Sequence, residues 1–144
     1  MKENKIKHLE MIQDVITRMN SNSFQIKSWS IMVLSALLAL FASSANTLFI
    51  LVSIVLMCIF WVIDTIYLQQ ERKFVELSEK VAKGDTSIAP FTMPMNLCTA
   101  KRCQFWNCFF SKTLIGFYGG CVVFLGAIFL LLYYNCITFE KIQI

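Results

Sequence analysis

Long uncharged stretches dominate the order of apolar and polar positions along this chain. The first runs from Ser28 to Ile63 and holds 36 residues, and the second is "TLIGFYGGCVVFLGAIFLLLYY", which holds 22 residues from Thr113 to Tyr134. One helical membrane span needs about 20 apolar residues, with about 17 as the lower limit. The first stretch is therefore too long for one span and long enough for two short ones, whereas the second fits one.

The middle of the first stretch carries a turn signal, "SSAN" at 43–46. Serine and asparagine favour turns and helix caps, so we expect Asn46 or Ser44 to cap the second helix. The alternative is that "LLALFASSA" is a signal-peptide core with its cleavage site. The segment before this apolar core is 27 residues long, amphipathic and partly acidic, which favours a helical hairpin. The predicted membrane spans are 28–43, 47–67 and 113–134.

The apolar pattern continues beyond the membrane on both helices of the hairpin. Apolar positions recur at spacings of 3 and 4 over 5–42 and again from Ile63 to Val81, and no Pro or Gly occurs before Gly84. This period is that of an α-helix with one apolar face. We therefore predict one helix over 5–42 and a second one that ends at Gly84. Two such helices, side by side, pack as an antiparallel coiled-coil-like hairpin.

Composition supports membrane insertion of a single domain. Hydrophobic residues make up 57% and charged residues 15% of the 144 residues, against about 45–50% and about 25% in a soluble domain. The predicted fold class is an all-α integral membrane protein, in which a long helical hairpin of two spans is joined by a third transmembrane helix. The single membrane domain over 1–144 is divided into an amphipathic helix 5–27, span 28–43, span 47–67, a helix extension 68–83, a loop and interfacial segment 84–112, and span 113–134.

Positive charge sets the predicted orientation. Twelve of the 13 Lys and Arg residues precede span one or lie between spans two and three, and only Lys141 follows span three. Because Lys and Arg mark the cytoplasmic side, we place the N terminus and the segment 84–112 in the cytoplasm and "NCITFEKIQI" outside. The predicted location is the bacterial inner membrane, with several spans, a cytoplasmic N terminus and a periplasmic C terminus.

The turn also predicts which charges face each other across the hairpin. With its centre near residue 45, opposing positions sum to about 90, so Lys27 faces Asp64. Each exposed pair of this kind contributes about 0.2–1 kcal/mol. The same register places Arg18 opposite Glu71 or Arg72, with Glu76 one turn away, and it places Glu10 and Asp14 opposite Lys80 and its neighbours.

Asp64 is the candidate functional residue, because an ionisable group inside a span indicates function by default. The alternative is a structural role, since Asp64 lies about four residues from the inner end of span two and opposite Lys27. Asp64 and Lys27 are therefore expected to form an ion pair that is either functional or structural.

Gly116 and Gly120 form a G-x-x-x-G pattern in span three. Small residues let membrane helices approach closely, so these two glycines indicate helix packing. The pattern predicts either self-association through this face or packing of span three against the hairpin.

Candidate metal-binding and catalytic residues are few. Cys98, Cys103 and Cys108 lack the CxxC spacing of zinc sites, and the one histidine, His8, is expected at the surface of its helix. The sequence carries no nucleophile elbow, phosphate-binding loop or metal-binding motif. We therefore expect no catalysis, no metal and no cofactor. The basic residues follow the topology rule and do not indicate nucleic acid.

Three segments carry a resemblance to known proteins: "HLEMIQDVITRMNSNSFQIKSWS" at 8–30, "FWVIDTIYLQQERKF" at 60–74 and "SKTLIGFYGG" at 111–120. The chain resembles a family of small bacterial membrane proteins with three spans, some of which lie near phage-defence genes. The resemblance covers most of the chain and implies the same three-span layout with a cytoplasmic helical hairpin. The family has no agreed activity, so the resemblance implies no catalytic residue.

Three functions fit these observations. The first is a membrane-disrupting effector of a bacterial defence system that is controlled through its cytoplasmic helices. The second is a membrane scaffold or accessory subunit that tethers a cytosolic partner, and the third is a proton- or ion-handling protein that uses Asp64. The expected partners are the lipid bilayer and either a second copy of the chain or a cytoplasmic protein.

Overall fold

The structure, a computed structural model, describes residues 2–85 and 87–142. This part of the chain is helical and contains no strand. The α-helices are α1 (Lys2–Ser44), α2 (Leu48–Lys83), α3 (Phe105–Phe109), α4 (Lys112–Leu114) and α5 (Gly120–Ile142). A π-helical turn at Ile115–Gly119 lies between α4 and α5, and two short 3-10 helices, Met95–Leu97 and Lys101–Cys103, lie between α2 and α3. Three helical segments are long and apolar enough to cross a membrane: Glu3–Ser44, Leu48–Lys83 and Lys112–Tyr134. The all-helical class and the three candidate spans are thus confirmed.

The first two helices form the expected hairpin, and each passes without a break from its apolar span into its polar half. We call 5–27 and 68–83 together the polar half of the hairpin. Its core holds Ile12 and Ile16 of α1 packed with Leu77 and Val81 of α2. These positions lie on the apolar faces that the spacings of 3 and 4 predict, because that spacing returns to the same side of a helix.

Left-handed residues and local hydrogen bonds mark the turn between α1 and α2 and the C-terminal end of α2. Ala45 adopts a left-handed backbone conformation with φ of 52°, and the Leu48 N–H donates to Asn46 Oδ1 over 3.0 Å. The N-cap position of α2 is Thr47, which makes no side-chain cap hydrogen bond, so neither Asn46 nor Ser44 is the N-cap residue, and Asn46 contributes only this bond from the preceding position. At the other end Gly84 has φ of 78°, and its N–H donates to the Lys80 and Val81 carbonyls. Glycine adopts this conformation without a Cβ clash, which explains why α2 ends there.

The third span packs against α2 in the apolar half. Leu114, Tyr118 and Leu125 are buried with Ile50 and Met57 of α2. Large apolar side chains, among them Leu40, Val55 and Val123, are exposed on the outside of this half, which is compatible with a lipid environment.

The return segment between α2 and α3 lies on α2 instead of forming an open loop. The Ala100 N–H donates to Glu76 Oε2 over 3.1 Å, and Gln69 Nε2 donates to the Cys103 carbonyl over 3.0 Å. Arg72 Nη1 donates to the Arg102 carbonyl over 3.0 Å. Polar side chains of α2 therefore replace the missing regular hydrogen bonds of this segment.

The predicted charge pairs of the hairpin form at one level only. Lys27 pairs with Asp64 over 2.6 Å, and this is the single ion pair between α1 and α2 in the described ranges. The pairs expected for Arg18, Glu10 and Asp14 are absent in the described ranges. Lys80, the expected partner of Glu10 and Asp14, pairs with Glu76 of its own helix over 3.1 Å. A solvent-exposed ion pair contributes little free energy, so a long charged side chain can exchange a partner on the neighbouring helix for one four residues away on its own helix at little cost.

Candidate functional site

Polar side chains meet where α1, α2 and the π-helical turn come together. Ser23 Oγ donates to Asp64 Oδ1 over 2.5 Å, and Lys27 Nζ lies 2.6 Å from Asp64 Oδ2. Lys27 Nζ also donates to Ser23 Oγ over 2.8 Å. Lys27 and Ser23 lie one helical turn apart on α1, so both reach across to the same carboxylate. We call Ser23, Lys27, Asp64 and Tyr118 the buried polar cluster.

The buried polar cluster is closed to water on the Asp64 side. Asp64 and Tyr118 are 0% exposed and Ser23 is 7% exposed, whereas the Lys27 side chain keeps 21% of its surface exposed. A carboxylate removed from water is strongly destabilised unless an opposite charge and hydrogen bonds compensate it. Lys27 and Ser23 supply both, so the charge on Asp64 depends on contacts that only α1 provides.

Tyr118 is a member of the cluster that sequence reasoning missed. Its hydroxyl is buried beside Asp64 and Ser30, yet it makes no hydrogen bond of ordinary geometry within the described residues. A buried hydroxyl without a partner is rare in folded proteins and calls for an explanation. The available signal was its position, because Tyr118 is the one phenol in the interior of span three.

The π-helical turn Ile115–Gly119 places Tyr118 in this position. Such turns widen a helix by one residue and occur often at functional sites. Neighbouring aromatic rings hold the turn in place: Trp61 stacks on Phe109 with ring centroids 4.6 Å apart, and Trp61 and Tyr118 are 6.3 Å apart. Trp61 Nε1 also donates to the Phe109 carbonyl over 3.2 Å. The cluster is thereby connected to α3.

Gly116 and Gly120 lie outside the buried polar cluster. A Cβ atom added to either glycine would meet no atom within 4 Å, and both residues are exposed. They therefore do not pack against the hairpin, which was one of the two expected roles. Self-association through this face stays a prediction.

The cysteines of the return segment and of α3 are buried single thiols. Cys98, Cys103 and Cys108 belong to no group of three or more His, Cys, Asp or Glu side chains that could hold a metal within the described ranges. Burial, with a contribution from the Glu76 carboxylate, raises the pKa of the Cys103 thiol to about 11. The three thiols therefore serve as packing groups in this part of the chain.

His8 differs from its expected place at the helix surface. It is 3% exposed, and its Nε2 lies 2.9 Å from the Thr92 carbonyl. Because a carbonyl only accepts, Nε2 is the donor in this bond. The return segment folds over the N-terminal part of α1 and covers His8, which the spacing of apolar residues on α1 alone does not reveal.

Comparisons with protein-family models, with curated proteins and with solved structures find no match to this chain. The functional argument therefore depends on the buried polar cluster itself. It holds a positive and a negative charge on two different helices at the junction of the apolar and polar halves. Its chemistry is that of an ion pair that can close or release a helix contact.

Proposed function

We propose that this chain is a bacterial inner-membrane effector without catalytic activity, which permeabilises the membrane when its cytoplasmic hairpin opens. The observation that carries this proposal is the buried Lys27–Asp64 pair, which joins α1 and α2 at the junction of their two halves. The excess of Lys and Arg before span one and between spans two and three supports a cytoplasmic polar half. The resemblance to proteins encoded near phage-defence genes supports antiviral defence as the setting.

The uninterrupted helices give the polar half a mechanical connection to the spans. α1 has 43 residues and α2 has 36, so α1 alone is about 64 Å long at 1.5 Å per residue. A partner or ligand that separates the helices in the polar half acts on one end of a continuous rod. The Lys27–Asp64 pair then has to break before the separation reaches the spans.

Tyr118 supplies the alternative hydrogen bond to Asp64 that stabilises the open hairpin. Its hydroxyl lies beside Asp64 and makes no hydrogen bond of ordinary geometry in the described structure. When Lys27 moves away, this hydroxyl can donate to the Asp64 carboxylate, which lowers the free-energy cost of the open state. Two packings that differ by a few kcal/mol are the usual basis of a switch.

Copies of the chain assemble through a face of span three that is already exposed in the closed hairpin. Gly116 and Gly120 form an exposed small-residue face on span three, where a second helix can approach closely. Several copies that pack through this face would surround a leak in the bilayer. Self-association is therefore part of the proposed mechanism.

The test is the inner-membrane potential of a bacterial host during induction, read with a potential-sensitive dye and propidium iodide. Lys27→Met leaves the Asp64 carboxylate buried without a counter-charge, which favours the open hairpin. Lys27→Met/Asp64→Asn removes both charges and keeps the hydrogen bond from Ser23. We expect depolarisation and growth arrest with the single variant, and an intact potential with the double variant at equal membrane expression.

The other two functions predict different results in the same experiment. A scaffold leaves the potential intact with all variants, including under phage challenge, and this outcome would overturn the effector proposal. A proton-handling protein loses its effect on the potential with Asp64→Asn alone, and Lys27→Met does not increase that effect. Helical content of the purified variants shows that each one is folded.

A further inference from the structure

A recess of about 310 Å³ opens between α1 and α2 at the level of the Lys27–Asp64 pair. We call it the boundary recess. The residues that line it belong to α1 and α2: Asn22, Gln25, Ile26, Trp29, Phe60, Ile63 and Tyr67. On α1 they alternate with Ser23 and Lys27, so the recess lies directly beside the buried polar cluster.

The polarity of the boundary recess changes along the helix axes. Its end toward the polar half carries Asn22, Gln25 and Tyr67, and its end toward the spans carries Trp29 and Phe60. α1 and α2 run antiparallel, so the polar residues of both helices meet at one end and the apolar residues at the other. A ligand that fits this order has a polar group at one end and a hydrocarbon chain at the other.

The polar lining residues are free to bind such a ligand. The side chains of Asn22, Gln25 and Tyr67 have no hydrogen-bond partner among the described residues. Amide and phenol groups are neutral donors, and both suit phosphate and ester oxygens. Trp29 is 56% exposed at the apolar end, and amphipathic indoles favour the boundary between head groups and acyl chains.

We propose that the boundary recess binds one phospholipid of the cytoplasmic leaflet. The phosphate and glycerol ester oxygens accept hydrogen bonds from Asn22, Gln25 and Tyr67, and an acyl chain lies along Trp29 and Phe60. The bound lipid contacts both helices and so holds them together beside the Lys27–Asp64 pair. This last effect rests on the proposed function, whereas the binding itself does not.

The test is lipid binding by the purified full chain in detergent, measured by native mass spectrometry during titration with phosphatidylglycerol. The triple variant Asn22→Ala/Gln25→Ala/Tyr67→Phe removes the hydrogen-bond donors. The second variant, Ile63→Trp, keeps the donors and fills the recess with a larger side chain. Ser28→Ala is the matched control, because Ser28 is exposed at the same level of α1 and does not line the recess. We expect the Kd of the most tightly bound phosphatidylglycerol molecule to rise about tenfold with each of these two variants and to stay unchanged with Ser28→Ala.

Two results would overturn the proposal. One is an unchanged Kd in both the triple variant and Ile63→Trp. The other is displacement of the lipid by glycerol 3-phosphate or inorganic phosphate. This result would show that the acyl chain of the lipid contributes nothing to binding and that the site binds phosphate alone. Neither result depends on membrane leakage, so the effector proposal is tested separately.

Discussion

The energetic cost of the buried polar cluster is concentrated in one residue, Asp64. Its carboxylate has no exposed surface, and its charge is compensated by Lys27 and Ser23 of the neighbouring helix. Such a pair contributes little to stability compared with an apolar contact, but the loss of one partner costs about 3–5 kcal/mol. The cluster therefore makes the α1–α2 contact conditional on the position of Lys27.

Tyr118→Phe should stabilise the closed protein. The change removes a buried hydroxyl that makes no hydrogen bond of ordinary geometry, so we expect the free energy of unfolding in detergent to rise by about 1 kcal/mol. In cells that carry Lys27→Met, the same change should reduce depolarisation, since the open state loses its alternative donor to Asp64. Tyr133→Phe is the control, because Tyr133 lies in the exposed end of the same span. A loss of stability with Tyr118→Phe would contradict the assigned role.

Cys103 should react slowly with maleimides. Burial and the nearby Glu76 carboxylate raise the pKa of its thiol to about 11, so roughly one thiol in a thousand is ionised at pH 8. In a background that lacks the other cysteines, we expect the labelling rate of Cys103 to rise about tenfold per pH unit above pH 8. The comparison is Lys101→Cys in a cysteine-free chain, because Lys101 is exposed. Equal rates at pH 8 would mean that the return segment does not pack on α2 and bury Cys103.

The helices are the part of the molecule that the sequence predicts best. The absence of Pro and Gly before Gly84 and the spacing of apolar residues led to one helix over 5–42, and α1 spans Lys2–Ser44. The π-helical turn was beyond prediction, because it depends on how span three packs against Trp61 and Phe109. For the same reason Tyr118 was missed while Lys27 and Asp64, which face each other by hairpin register alone, were found.

The continuity of α1 through the junction can be tested at Ser21. This residue is exposed in the helix interior, and proline there removes a backbone hydrogen bond and clashes with the preceding turn. We expect Ser21→Pro to lower the free energy of unfolding by about 3 kcal/mol relative to Ser21→Ala, measured by the loss of helical signal on heating. If the two variants were equally stable, α1 would not be continuous at this point.

The whole molecule combines an apolar half of three helices with a polar half in which two of these helices continue. The proposed function assigns the apolar half to the bilayer and the polar half, on which the return segment packs, to the reception of a signal. Charge distribution predicts the side on which that signal arrives, since Lys and Arg mark the cytoplasm. Lys27 and Asp64 lie where the two parts meet.

The most direct test of this account is dye release from proteoliposomes that contain the Lys27→Met variant. Release is compared with and without a crosslink between the two helical segments of the polar half, which are called its arms. Lys5 Nζ lies 2.7 Å from the Ala82 carbonyl, so Lys5→Cys and Ala82→Cys accept a short bis-maleimide in a background that lacks the native cysteines. The account predicts rapid release without the crosslinker and retention of the dye once the arms are joined. Equal release in both samples would show that the membrane is permeabilised without opening of the hairpin, and would contradict the account.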